Sequence, residues 1–64
     1  MALHLKAARV NAGFTLVQAA AAVGISKNTL ANYEAYRTIP DIEVGKKLAA
    51  LYKLSVDDII FFVK

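Results

Sequence analysis

Residues 26 to 32 read Ser-Lys-Asn-Thr-Leu-Ala-Asn. Five of these side chains, Ser26, Lys27, Asn28, Thr29 and Asn32, can bond to the edge of a flat heterocycle. A carboxamide donates and accepts together, which matches the exposed edge of adenine. An ammonium suits the paired acceptors of guanine, a hydroxyl serves several edges, and the methyls of Thr and Ala suit that of thymine. If the stretch is helical, Asn28 and Asn32 lie one turn apart on one side, and an α-helix fits the major groove of B-form DNA. Small polar side chains on a surface helix are also what plain solvation produces. The flanking chain decides between the two.

That flanking chain reads as helices in close succession. A first helix is predicted at about residues 2–12, with Leu3, Leu5, Ala8 and Ala12 as its apolar face and Gly13 as its stop. Thr15 opens a second, and Gln18 three residues on completes a capping box, in which each side chain satisfies an amide of the other's residue. This helix runs through Ala19–Ala22 to Val23-Gly24. Ser26 caps a third, at about 27–35. Leu30 and Tyr33 are its inward anchors, and Lys27, Asn28, Ala31 and Asn32 face away from them. Only Gly24-Ile25 separate the second helix from the Ser26 cap. Two helices across a short glycine turn form a helix-turn-helix, predicted here at about 15–35. Ala20, one turn before Gly24, leaves room for close approach of the third helix. A linker, 36–40, ends at Pro40. Asp41 caps a fourth helix through about Tyr52, and Ser55 caps a fifth with Asp57 and Asp58 in its first turn. The prediction is all-α: a compact five-helix bundle, residues 1–64, as one domain.

Composition narrows the partners. Eight Lys and Arg against five Asp and Glu give a net charge of +3, compatible with nucleic acid though not specific to it. With no cysteine and a single histidine, His4, neither disulfides nor a metal site are expected. No glycine-rich phosphate loop or catalytic grouping is present, so neither enzyme activity nor a cofactor is expected. No apolar stretch approaches the length of a membrane span, and the expected location is the cytoplasm.

The joint spacing of Gly13-Phe14-Thr15, Gln18-Ala19-Ala20, Val23-Gly24-Ile25-Ser26, Thr29-Leu30 and Tyr33-Glu34 resembles the phage repressor and Cro-like (lambda-repressor-like) helix-turn-helix family. So does the sequel Arg37-Thr38-Ile39-Pro40-Asp41, Leu48-Ala49 and Leu54-Ser55-Val56-Asp57. The resemblance spans nearly the whole chain. It implies a double-stranded DNA operator as partner, usually bound by a homodimer. It puts base reading at Lys27, Asn28 and Asn32, supported by Ser26 and Thr29, and phosphate contacts at Thr15, Leu16, Arg37 and Thr38. It also implies a bracing pair between Arg9 and Glu34; the residues alone leave Arg9 equally free to be solvated. Two positions depart from the family. Leu16 stands where many relatives have a phosphate-gripping glutamine. Tyr36 stands where many have glycine, so a simple glycine cap is not expected at the end of the third helix. Tyr36 itself has two uses open to it, contact with the DNA backbone or packing on the fourth helix.

The tail Ile59-Ile60-Phe61-Phe62-Val63 is too uniformly apolar for one helix face. With Val56, residues Ile59, Ile60 and Val63 can share one side, which leaves Phe61 or Phe62 outside it. Three outcomes stay open. The first helix wraps the tail; Phe61, Phe62 and Val63 form a two-fold dimer or partner surface; or the chain is cut at Lys64 and a second domain covers them. The expected function is a sequence-specific DNA-binding transcriptional regulator, a repressor in action. The competing expectation is a protein-interaction module, antitoxin-like, using the apolar C-terminal helix.

Overall fold

A computed structural model describes residues 2–63. The elements run β1 (Leu3–His4), α1 (Leu5–Asn11), α2 (Leu16–Val23), α3 (Lys27–Glu34), α4 (Ile42–Leu51), a 3-10 turn (Val56–Asp58) and β2 (Ile59–Ile60). Both cap residues expected at the starts of α2 and α3 are in place. Thr15 Oγ1 accepts from the Gln18 amide at 3.1 Å and the Thr15 amide donates to Gln18 Oε1 at 2.9 Å. Ser26 Oγ accepts from the Thr29 amide at 3.0 Å. Asp41 starts α4 in the same way, its Oδ1 accepting from the Val44 amide at 2.9 Å.

All four α-helices end alike. The residue after the C-terminal turn takes a left-handed conformation, and two amides fold back onto the last free carbonyls. At the end of α2 this residue is Gly24, φ +79°, with Ile25 N bonded to Ala20 O at 3.0 Å. Gly13 does the same for α1. For α3 and α4 the residues are Tyr36 and Lys53, at φ 60° and 59°. As expected, no glycine cap ends α3; the same turn is made with a left-handed tyrosine instead, across which Arg37 N bonds to Asn32 O at 3.0 Å. A β-carbon in this conformation costs roughly 1–2 kcal/mol. The Tyr36 ring offsets that cost with a tie of its own. Its hydroxyl donates to the Ile60 carbonyl at 3.2 Å and lies 2.6 Å from His4 Nδ1. With its proton directed to Ile60, the phenol oxygen accepts from the imidazole.

The predicted fifth helix is also corrected. Only Val56–Asp58 coil, as a 3-10 turn in which Asp58 Oδ2 accepts from Ser55 Oγ at 2.9 Å; Ile59–Ile60 are a strand. The first helix begins at Leu5 rather than near residue 2, because Leu3–His4 pair in parallel with that strand, Leu3 opposite Ile59 and His4 opposite Ile60. A helix has a single inward stripe and cannot bury a five-residue apolar run, and β-branched isoleucines lose rotamer freedom in one. Extended backbone sends alternate side chains inward. Ile59 is buried and Phe61 half-buried against the core, whereas Phe62 is 58% exposed. Lys64, the suggested cut point, lies outside the described residues.

The core is built from Leu5 and Ala8 of α1, Ala19, Ala20 and Val23 of α2, Leu30 of α3, Leu48 and Ala49 of α4, Tyr52 and Ile59. The alanines let α2 pack against both α3 and α4. Ile25, in the turn, is half-buried against the same cluster, and Lys46, Lys47 and Lys53 are exposed.

Tyr52 carries a hydroxyl into the core. Its ring is buried, and among the described residues its hydroxyl has no hydrogen-bond partner. Burial, reinforced by Glu34 and opposed by Arg9, pushes the phenol up from 10.0 to about 12. The unfolded chain therefore ionises first as pH rises. The stabilisation is complete below pH 10 and is lost as pH climbs towards about 12. Denaturant unfolding should show stability falling across that window. Tyr52→Phe should flatten the fall while changing little at neutral pH, since it removes a hydroxyl with nothing to bond.

Candidate nucleic-acid interface

The helix α3 has one locked side and one free side. Leu30 is fully buried and Tyr33 packs against the core. On the free side Lys27 and Asn28 are exposed and Asn32 is half-exposed. The side chains of Lys27, Asn28 and Asn32 make no hydrogen bond among the described residues. Ser26 and Thr29 differ from them. Their hydroxyls lie 2.7 Å apart, and Ser26 Oγ also accepts the Thr29 amide, so both are partly spent on the helix start.

The opposite rim of α3 is held by Arg9. Its Nε donates to Glu34 Oε2 at 2.8 Å and its Nη2 to Glu34 Oε1 at 3.2 Å, a fork on both carboxylate oxygens. Nη1 donates to the Phe14 carbonyl at 3.0 Å. One guanidinium thus ties α1 to the turn before α2 and to the end of α3. The Arg9 and Glu34 side chains are 11% and 8% exposed. Donating to the Glu34 carboxylate raises the affinity of Arg9 for its proton, against the opposing effect of burial. Position 34 thus gives α3 a fixed orientation without occupying its outer face.

The other expected contact residues fall into two groups. Thr15 is exposed at the start of α2, though its hydroxyl is used by the Gln18 amide. Leu16 is half-buried against the core, so its side chain supplies no donor there, whereas the first backbone amides of α2 and the Thr15 hydroxyl proton remain able to donate. After α3, Arg37 and Thr38 are exposed in the linker. Tyr36 is half-buried, and its hydroxyl is bonded to His4 and Ile60. The structure thus ties Tyr36 to β2. It brings Ser26, Lys27, Asn28, Thr29 and Asn32 together on one helix, with Arg37 and Thr38 beyond its far end and Thr15 and Leu16 on the preceding one. Phe61 lies beside α4, where a β-carbon on Gly45 would meet its Cζ at 3.8 Å, and Phe62 and Val63 are exposed.

A helix-turn-helix family model matches residues 5–59. The chain belongs to the Cro-like helix-turn-helix family. This helix-turn-helix domain is 43% identical over 54 residues to the HTH-type transcriptional regulator ImmR of Bacillus subtilis (strain 168), across 84% of this chain and 42% of that protein. The chain therefore spans about two fifths of the length of the curated relative it matches. No solved structure gives a significant match. No helix among the described residues is long and apolar enough to cross a membrane, and no group of three or more His, Cys, Asp or Glu there is placed to hold a metal.

Two connections were not legible from residue types. The Phe14 carbonyl, as third partner of Arg9, carries no side-chain signal. The His4–Tyr36–Ile60 link joins positions far apart in the chain, and a lone histidine gives no hint of it. The Arg9 brace has a direct check. Glu34→Ala should cost about 3 kcal/mol of folding free energy, because it strands a buried guanidinium. Combined with Arg9→Ala, the double variant should lose clearly less than the sum of the two single losses. Additive losses in denaturant titrations would show that the two side chains do not act as a unit.

Proposed function

We propose that this helix-turn-helix domain binds double-stranded DNA sequence-specifically as part of a transcriptional regulator, and acts as a repressor by occupying its operator. The observation that carries this reading is the uncommitted hydrogen-bonding set Lys27, Asn28 and Asn32, on the free side of a helix whose other side is locked by Leu30 and Arg9–Glu34. In the major groove Asn28 and Asn32 pair with adenine edges and Lys27 with guanine. Ser26 and Thr29 support them, with whichever lone pairs and methyl groups the cap leaves free. Arg37, Thr38, Thr15 and the first amides of α2 grip phosphates, and these contacts set the register of the helix without reading sequence. The helix Leu16–Val23, packed against α3, then lies across the backbone. The likeness to ImmR, a transcriptional regulator of Bacillus subtilis, supports the same reading.

The domain acts as a homodimer in this proposal. Phe62 and Val63, 58% and 57% exposed, are large apolar side chains beyond the end of the fold, and a two-fold copy of the same segment covers them. The same exposed pair supports the competing reading, a protein-interaction module.

Asn28→Ala and Asn32→Ala should each cost about 1–3 kcal/mol of discrimination between the preferred duplex and scrambled duplexes. Thermal unfolding should stay within about 0.5 kcal/mol of the parent, since neither side chain has an intramolecular partner. Mobility-shift titrations read both affinities. Unchanged discrimination in both variants would remove the base-reading assignment, and failure to retain any duplex would favour the protein-interaction module.

A further inference from the structure

Beside the reading helix the surface carries an open cavity of about 290 Å³, lined by Lys6, Leu16, Ala31, Glu34 and Ala35. It lies where α1, the first residue of α2 and the second half of α3 meet. Its walls are chemically sparse. Ala31 and Ala35 offer methyls and Leu16 an aliphatic chain. The Glu34 carboxylate, the negative charge on the wall, is already forked onto Arg9 through both oxygens. The other charge is the Lys6 ammonium. Lys6 is exposed on α1, one turn before Arg9, and forms no ion pair among the described residues.

The position of this cavity relative to the base-reading side chains narrows what crosses its mouth. Ala31 and Ala35 each follow a base-reading asparagine by three residues, so they flank the face formed by Asn28 and Asn32. Leu16 opens α2, where the Thr15 side chain takes the Gln18 amide and the first amides stay free. A DNA strand lying over the start of α2 while α3 occupies the groove therefore runs past this opening. The small alanine methyls let it approach closely. Leu16 has no side-chain donor, so among the side chains lining this opening Lys6 is the one able to donate to a phosphate.

We propose that Lys6 is a phosphate-contacting residue of the DNA interface, reaching from α1 to the sugar-phosphate strand that passes over the cavity between α1, Leu16 and α3. This rests on the DNA-binding reading given above and adds the first helix to the contact surface. A lysine on phosphate acts as a point charge. It should strengthen binding to every duplex alike and leave sequence preference untouched.

The test is mobility-shift titration of the whole chain against one preferred duplex and one scrambled duplex at several salt concentrations. Lys6→Gln should weaken both complexes by the same factor. Its plot of log affinity against log salt should be shallower than that of the parent by about 0.9, the value for one phosphate contact. Lys6→Arg should keep the parent slope. Lys47→Gln, an equal loss of charge on α4, should change the slope clearly less. A Lys6→Gln protein that melts like the parent but has an unchanged slope would overturn the assignment. So would equal changes in Lys6→Gln and Lys47→Gln, which would mark a general charge effect. A parent chain that retains no duplex would overturn the DNA-binding reading and this proposal together. Binding by the parent with an unaffected Lys6→Gln would overturn this proposal alone.

Discussion

A buried guanidinium must be satisfied on every side, and the arrangement of this domain follows from how Arg9 achieves it. Two of its nitrogens are taken by the carboxylate of Glu34 and a third by the carbonyl of Phe14. A buried ion pair of this kind gives little net stability, because both charges give up water to form it. Its value lies in position. The fork fixes the end of α3 relative to α1, and the bond to Phe14 fixes the turn that leads into α2. The start of α2 and the end of α3 are thus held by one planar group, while Leu30 and Tyr33 set the depth of α3 against the core.

Around this brace the chain solves one geometric problem four times, turning sharply after a short helix. The solution is the same left-handed residue each time, but the chemistry differs. Gly13 and Gly24 adopt it without strain, and space is open around the α-carbon of each. Tyr36 adopts it at a cost that its hydroxyl helps to offset, by bonding to His4 and to the Ile60 carbonyl. The exit of α3 is thereby joined to the small parallel sheet, which in turn joins the two ends of the described chain. The same residue that ends α3 anchors the linker carrying Arg37 and Thr38. Orientation of α3 and placement of the linker are therefore coupled through one side chain.

Local chemistry was the legible part. Thr15 with Gln18, Ser26 before a polar helix, Asp41 after Pro40, and Gly24 four residues beyond Ala20 each announce an element through a bond made within a few residues. The placement of Asn28 and Asn32 on the free side follows from helical period once Leu30 is taken as the anchor. The tail departs from expectation because Ser55, Asp57 and Asp58 carry a true helix-start pattern, whereas nothing local marks the strand that follows it. What decided their conformation was a partner 56 residues earlier: Ile59 lies beside Leu3. Pairing of that range leaves no mark in local spacing. The left-handed turn at Tyr36 leaves no local mark for a related reason, since its strain is offset by groups at positions 4 and 60.

The central claim is that α3, braced by Arg9 and Glu34, reads base pairs as one of a two-fold pair. Selection of bound duplexes from a random pool with this chain tests it most directly. The expected result is enrichment of a short motif present twice in two-fold relation, its centres about one helical turn, roughly 34 Å, apart. A pool that remains random after repeated rounds, with the protein folded throughout, would contradict it.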